Sequence, residues 1–156
     1  MLLTGTYARS IDDKLRIAIP KRLREALGCL HGGVLYVTPG TDGSLALYTQ
    51  EALSRLADQL AQQASPTGRD VRAFSRMFYA QAQQVELDRQ GRVRIPPELA
   101  KTANLGKEAV LLGVQDHLEL WDQQLWEAYL EEKQAHFDEI AEAALGGPEQ
   151  RPRKPK

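Results

Sequence analysis

The chain has 156 residues, 42% of them hydrophobic, enough for one domain or for two small halves sharing a core. It has no run of about 18 apolar residues to span a bilayer, no apolar N-terminal stretch resembling a signal peptide, and a single cysteine, Cys29, that cannot form an internal disulfide. These features exclude a membrane or disulfide-framework protein and predict a cytoplasmic one with Cys29 as a small packing residue. The net charge of −1 conceals a segregation of sign. Residues 1–25 carry six Lys or Arg against three acids and residues 80–107 five against three, whereas residues 108–145 carry ten acids against one lysine. Such segregation fits one face turned to a polyanion, and fits equally a solvated face with no partner.

Taken in order, Gly5 to Ile11 has the aromatic and β-branched content of a strand, and a tight reversal follows at Asp12 to Leu15. A second strand, Arg16 to Ile19, puts Ile17 and Ile19 on one face and Arg16 and Ala18 on the other, because side chains alternate across a strand. The isoleucines face the core and Arg16 faces solvent. Pro20 opens a short helix, Lys21 to Leu27, which Gly28 stops as a left-handed cap. Strands are predicted at Val34 to Thr38 and Ser44 to Tyr48, joined by a loop rich in Pro and Gly. Thr49 is the N-cap of a helix to about Ala64, Ser65-Pro66-Thr67-Gly68 breaks it, and Arg69 to Ala80 forms another with Val71, Phe74 and Phe78 on one stripe.

The second half then replays the first. Ile11-Asp12-Asp13-Lys14-Leu15-Arg16-Ile17-Ala18-Ile19-Pro20 returns as Leu87-Asp88-Arg89-Gln90-Gly91-Arg92-Val93-Arg94-Ile95-Pro96, an offset of 88 − 12 = 76 residues. Ala109 to Gly113 matches Val34 to Thr38, and His117 to Trp121 matches Ser44 to Tyr48 at an offset of 73, so the first hairpin loop is three residues longer. Asp122 is the N-cap candidate of one long amphipathic helix marked by Trp126, Tyr129, Leu130, Phe137 and Ile140. The expected fold class is α+β, with duplicated ββαβ-type half-repeats. Neither half can bury its strands alone, and the two are expected to close into one small β-barrel flanked by helices. The expected divisions are 1–64, a connecting helix 65–80, a second repeat 81–145, and a disordered basic tail 146–156.

Catalysis is not expected. His31, His117 and His136 are scattered, no His or Cys pair has metal-ligand spacing, and no phosphate-cradling glycine loop is present, so no metal or cofactor is assigned. Asp12 and Asp88 could be drawn as a carboxylate pair, but each sits in a reversal, where it accepts hydrogen bonds from backbone N–H groups and pairs with an arginine four residues on. An arginine held in that way suits phosphate or guanine, because its planar fork makes two parallel hydrogen bonds to either. The same spacing is also satisfied by a surface ion pair that merely closes a hairpin.

The two motifs Asp12-Asp13-Lys14-Leu15-Arg16 and Asp88-Arg89-Gln90-Gly91-Arg92, each followed by strand, proline and short helix, resemble the paired Asp-x-x-x-Arg signatures of the MraZ family. Leu45 to Tyr48, Leu111-Leu112-Gly113 and Leu118 to Asp122 are similar to that family too, and the likeness runs over about residues 1–145. It implies an intrachain duplicate of the swapped hairpin of AbrB-like transcription factors and ring-shaped oligomers. It also implies DNA-binding repression of the division and cell-wall gene cluster to which the chain itself belongs, and an oligomer is expected to bind repeated promoter elements through effective concentration. The DNA-contact arginines it implies are Arg16 and Arg92, with Asp12 and Asp88 positioning them. One residue departs from the pattern: Leu15 stands where Gly91 stands in the second copy, so either the first turn is of another type or its arginine is aimed differently.

On this reading Lys14, Lys21 and Arg22 around the first turn, and Arg89 and Arg94 around the second, hold phosphates, while Arg16 and Arg92 read base edges. The expected partners are double-stranded DNA and further copies of the chain, with no membrane, and the expected location is cytoplasmic and nucleoid-associated. The alternative is a protein-interaction or antitoxin-like module whose basic hairpins meet an acidic partner.

Overall fold

The computed structural model describes residues 1–63 and 68–146. The expected break at Ser65-Pro66-Thr67 and all but the first residue of the expected disordered tail lie outside the described residues. In chain order the elements are β1 (Thr6–Ser10), β2 (Arg16–Ala18), α1 (Lys21–Leu27), β3 (Val34–Pro39), β4 (Leu45–Tyr48), α2 (Gln50–Gln63) and α3 (Arg69–Gln81). They continue as β5 (Gln83–Glu86), β6 (Arg92–Arg94), α4 (Pro97–Thr102), β7 (Glu108–Val114), β8 (His117–Asp122), α5 (Gln123–Gln134) and α6 (Phe137–Leu145). The class is α+β, as expected, and the elements through β8 form one compact unit, with residues from 124 onward forming another.

Local chemistry sets the boundaries. Gly28 takes the left-handed conformation at φ 73°, and the Cys29 N–H then donates to the Arg24 carbonyl at 2.8 Å, closing α1. Asn104, 76 residues on, does the same at φ 51°, with the Leu105 N–H on the Ala100 carbonyl at 3.0 Å. Asparagine is the residue other than glycine that most readily takes this geometry, so a different side chain stops the second helix in the same way. Thr49 caps α2 as expected, its Oγ1 accepting from the Ala52 N–H at 3.2 Å.

Strand pairing exchanges elements between the halves. A six-stranded antiparallel sheet runs β1-β7-β8-β4-β3-β5, and β2 pairs with β6 in a separate ribbon. Thus β1 of the first half lies on β7 of the second, β5 of the second lies on β3 of the first, and β2 meets β6. Among the described residues, only the β3–β4 and β7–β8 hairpins are local pairings. They meet at the β4–β8 seam, where Leu45 faces Leu120 and Leu47 faces Leu118, all four fully buried. In the ribbon Ile17 faces Val93, and since 93 − 17 = 76 the local twofold axis of the duplication passes between a residue and its own repeat.

Two expectations are corrected. The sheet is open, with β1 and β5 as its edges, so the strands do not close into a barrel. Sheet and ribbon instead cover the two sides of one core, which contains Ile17, Ile19, Val93 and Ile95 from the ribbon region and Leu35, Leu47, Leu111 and Leu120 from the sheet. The long helix after Trp121 is two helices. The His136 N–H bonds back to the Lys133 carbonyl at 3.0 Å, a tighter turn that interrupts the α-helical ladder, and α6 restarts with the Ile140 N–H on the His136 carbonyl. Neither α5 nor α6 buries a residue.

The seam carries a direct expectation. Leu118→Ala, which opens a cavity between the two hairpins, is expected to lower the unfolding free energy by about 2–5 kcal/mol in a urea titration while leaving far-UV circular dichroism intact.

Candidate nucleic-acid interface

The two reversals have the same construction, bond for bond. In the first, Asp12 Oδ1 accepts from the backbone N–H groups of Lys14 at 3.0 Å and Arg16 at 2.8 Å, and Oδ2 accepts from Arg16 Nε at 2.7 Å. In the second, Asp88 Oδ1 accepts from Gln90 and Arg92, both at 2.9 Å, and Oδ2 from Arg92 Nε at 2.9 Å. The Asp12 N–H donates to the Arg16 carbonyl and the Leu15 N–H to the Asp12 carbonyl, and Asp88, Arg92 and Gly91 repeat both bonds. The side chains of Arg16 and Arg92 are 33% and 27% exposed, and in each the Nε is tied down by the aspartate. An ion pair this exposed is screened by solvent and contributes little to stability. Its larger consequence is geometric: each arginine loses rotamer freedom before any ligand arrives.

Leu15 does not change the turn. It takes the left-handed conformation at φ 61°, close to the 76° of Gly91, so the first arginine is aimed like the second. The conformation costs a side chain about 1–2 kcal/mol. Two features compensate: Leu15 is half buried against the core, and its carbonyl accepts from the Ile95 N–H at 2.8 Å. The matching bond joins the Ile19 N–H to the Gly91 carbonyl at 2.9 Å. A glycine is needed at position 91 for a second reason. A Cβ there would sit 2.6 Å from Arg24 Cζ, whereas the residue related to Arg24 by the repeat is Ala100. The large residue is thus on the turn in one copy and on the helix in the other.

The antiparallel ribbon sends the two turns to opposite ends, and this regroups the basic residues. Arg16 faces Arg94 across the ribbon and Ala18 faces Arg92, all four on the face away from buried Ile17 and Val93. Arg16 and Arg92 are therefore diagonal neighbours, about 7–8 Å apart at the strand level. Helix α1, with exposed Lys21 and Arg22, lies at the second turn and not the first, because Ile19 bonds to Gly91 and Arg24 packs beside it. Arg94 lies at the first turn, since Ile95 bonds to Leu15. Lys14 and Arg89 are exposed on the turns that carry them. The second turn accordingly gathers Arg89, Lys21, Arg22 and Arg24, whereas α4 brings Pro97 and Glu98 in the places of Lys21 and Arg22. Arg24 was not legible as a site residue. Its Nε donates to the Ile19 carbonyl at 3.0 Å, and it lines a cavity of about 280 Å³ with Asp88 and Arg89.

Both aspartates are held below the usual carboxylate range. The largest cause is the backbone N–H of Arg16 or Arg92, joined by that arginine's side chain and the N–H of Lys14 or Gln90, which together outweigh desolvation. A folded-state pKa below the unfolded one contributes stability above the ordinary value of 3.8, and that contribution is lost as pH falls through the depressed values. Urea unfolding between about pH 6 and about pH 2 is therefore expected to show an acid-side loss of stability that is shallower in Asp12→Asn/Asp88→Asn. Gly91→Leu, which forces a side chain into the left-handed region and against Arg24, is expected to cost about 1–3 kcal/mol in the same assay.

A model of the family described as "MraZ protein, putative antitoxin-like" matches residues 2–77 and again 78–147. The chain is 41% identical to a transcriptional regulator MraZ of Ligilactobacillus salivarius, covering 90% of this chain and 95% of that one. It is 39% identical to the protein of the same name from Alkaliphilus metalliredigens, over 90% and 94% of the two chains, and 34% identical to that of Mesoplasma florum, over 94% and 98%. With both halves of the chain matched in turn, and relatives aligned over nearly their whole length, the chain belongs to the MraZ family.

Proposed function

We propose that this chain is a transcriptional regulator that binds promoter DNA through the outer face of the β2–β6 ribbon. The observation that carries the reading is the pair of identically built turns, each fixing an arginine through an aspartate, on one ribbon whose outward side bears Arg16, Arg92 and Arg94. Like charges directly opposite on neighbouring strands, as Arg16 and Arg94 are, weaken a ribbon unless an anion lies against them. The major groove admits a two-stranded β-ribbon, and a fixed arginine there can make the bidentate contact to guanine. Arg16 and Arg92 are the base-reading residues in this account. Lys14, Lys21, Arg22, Arg89 and Arg94 hold phosphates, and Asp12 and Asp88 position the two arginines.

The names of the relatives favour regulation over catalysis. Repression of its own gene cluster, a homo-oligomer of ring form and repeated promoter elements complete the proposal. Several ribbons carried on one oligomer reach repeated sites at a high effective concentration, which a single short ribbon does not. Residues 1–64 and 81–145 serve as the two repeats, each supplying half of the ribbon, with residues 65–80 joining them. A cytoplasmic, nucleoid-associated location follows from this role.

The test is a titration of the chain's own upstream promoter fragment at several salt concentrations. Arg16→Ala and Arg92→Ala are each expected to cost about 1–3 kcal/mol and to relax base preference, whereas Lys21→Ala is expected to weaken all sequences alike and to lower the salt slope by about 1. Because the second turn holds more basic neighbours, Arg22→Ala is expected to act with Arg92 rather than with Arg16 in a double-mutant cycle. Promoter affinity unchanged in Arg16→Ala/Arg92→Ala would overturn the reading, and retention of an acidic protein partner by the same variant would overturn the interaction-module alternative as well.

A further inference from the structure

A groove of about 500 Å³ lies between α2, α3 and the sheet, walled by Ala46, Tyr48, Leu56, Phe74, Met77 and Phe78. Two of these are large and open to solvent, Met77 at 64% and Phe74 at 41%. Of its polar members, Gln81, His117 and Glu119 are already engaged. His117 stacks on Tyr48 at 5.0 Å, with Nδ1 2.8 Å from Asp116 and Nε2 3.4 Å from Glu119. What the groove offers a visitor is therefore mostly ring faces and methyl groups. The same chain carries a second exposed apolar surface: α6 buries no residue and sets Phe137, Ile140, Ala144 and Leu145 at helical spacing along one stripe.

Charge favours joining the two. Helix α3, which forms one wall, bears Arg69, Arg72 and Arg76 against one acid, Asp70, and Glu119 at the groove's edge is tied to His117 and Trp121, while α6 bears Asp138, Glu139 and Glu142 with no basic residue. We propose that α6 of one copy seats its Phe137–Ile140 stripe in the α2–α3 groove of a second copy, with its acids turned to the α3 arginines. This rests on the reading of the chain as a homo-oligomer and names the surfaces that would build it. The contact is head to tail, groove on one side and helix on the other, so each added copy leaves a free groove until the assembly closes. Phe137 is the anchor, because a buried aromatic at the centre of a contact carries most of its affinity.

The experiment mixes full-length chains bearing Met77→Cys with full-length chains bearing Ala144→Cys, oxidises them, and follows the same proteins by sedimentation velocity. Buried Cys29 does not compete for oxidation. The expected product is a covalent dimer of unlike chains, absent when Phe137→Asp is added to the Ala144→Cys chain, and Phe137→Ala is expected to weaken self-association about thirtyfold. Mixed disulfide that survives Phe137→Asp overturns the proposal. So does an intrachain disulfide in the Met77→Cys/Ala144→Cys chain at high dilution, which would mean that the groove takes its own helix. Oligomers without any mixed disulfide overturn this interface and leave the oligomer reading standing. A monomer at every concentration overturns both.

Discussion

The pairing of Ile17 with Val93 is the contact on which the rest depends. Strands of three residues cannot stand alone, and among the described residues β2 and β6 are each other's only strand partners. The buried face of that ribbon, continued by Ile19 and Ile95, covers one side of a core whose other side is the sheet. Separating the halves would strip β1, β2, β5 and β6 of every ladder partner at once. The two repeats are thus one folding unit with many contacts between residues distant in sequence, an arrangement that raises the entropy cost of folding and rewards it only late.

The same pairing decides what the arginines can do. Antiparallel strands put equivalent turns at opposite ends, yet bring Arg16 and Arg92 to diagonal positions on one face. Each aspartate satisfies two backbone N–H groups of its reversal with one oxygen and steers an arginine with the other. Stability of the turn and aim of the side chain are therefore one interaction. The copies then diverge in their surroundings: Arg24 packs against Gly91, while the first turn meets Ala100's helix and carries Leu15 instead. Identical backbones with unequal charge around them can grip unequal sites.

Acidic charge is kept on the elements furthest along the chain. Helices α5 and α6 carry six acids and one lysine, and Leu125, Leu130, Phe137, Ile140 and Leu145 on them are exposed. A surface of that kind, too apolar to be idle and too acidic to lie on a polyanion, suits contact with protein rather than nucleic acid.

Much of this was legible along the chain. Alternation put Ile17, Ile19, Val93 and Ile95 inward and Arg16 outward, Asp12 and Asp88 announced their turns, and Thr49 and Gly28 marked helix ends, because each of these depends on neighbours within four residues. The duplication was equally plain from the 76-residue offset. Tertiary structure alone decided that Lys21 and Arg22 belong to the second turn, that the sheet stays open, that the long helix breaks at His136, and that Leu15 adopts a geometry its side chain disfavours. The reason is common to the first and the last. Hydrogen bonds from Ile19 to Gly91 and from Ile95 to Leu15 join residues 72 and 80 positions apart (91 − 19 and 95 − 15), and such bonds override a local preference of one or two kcal/mol that sequence spacing alone can weigh.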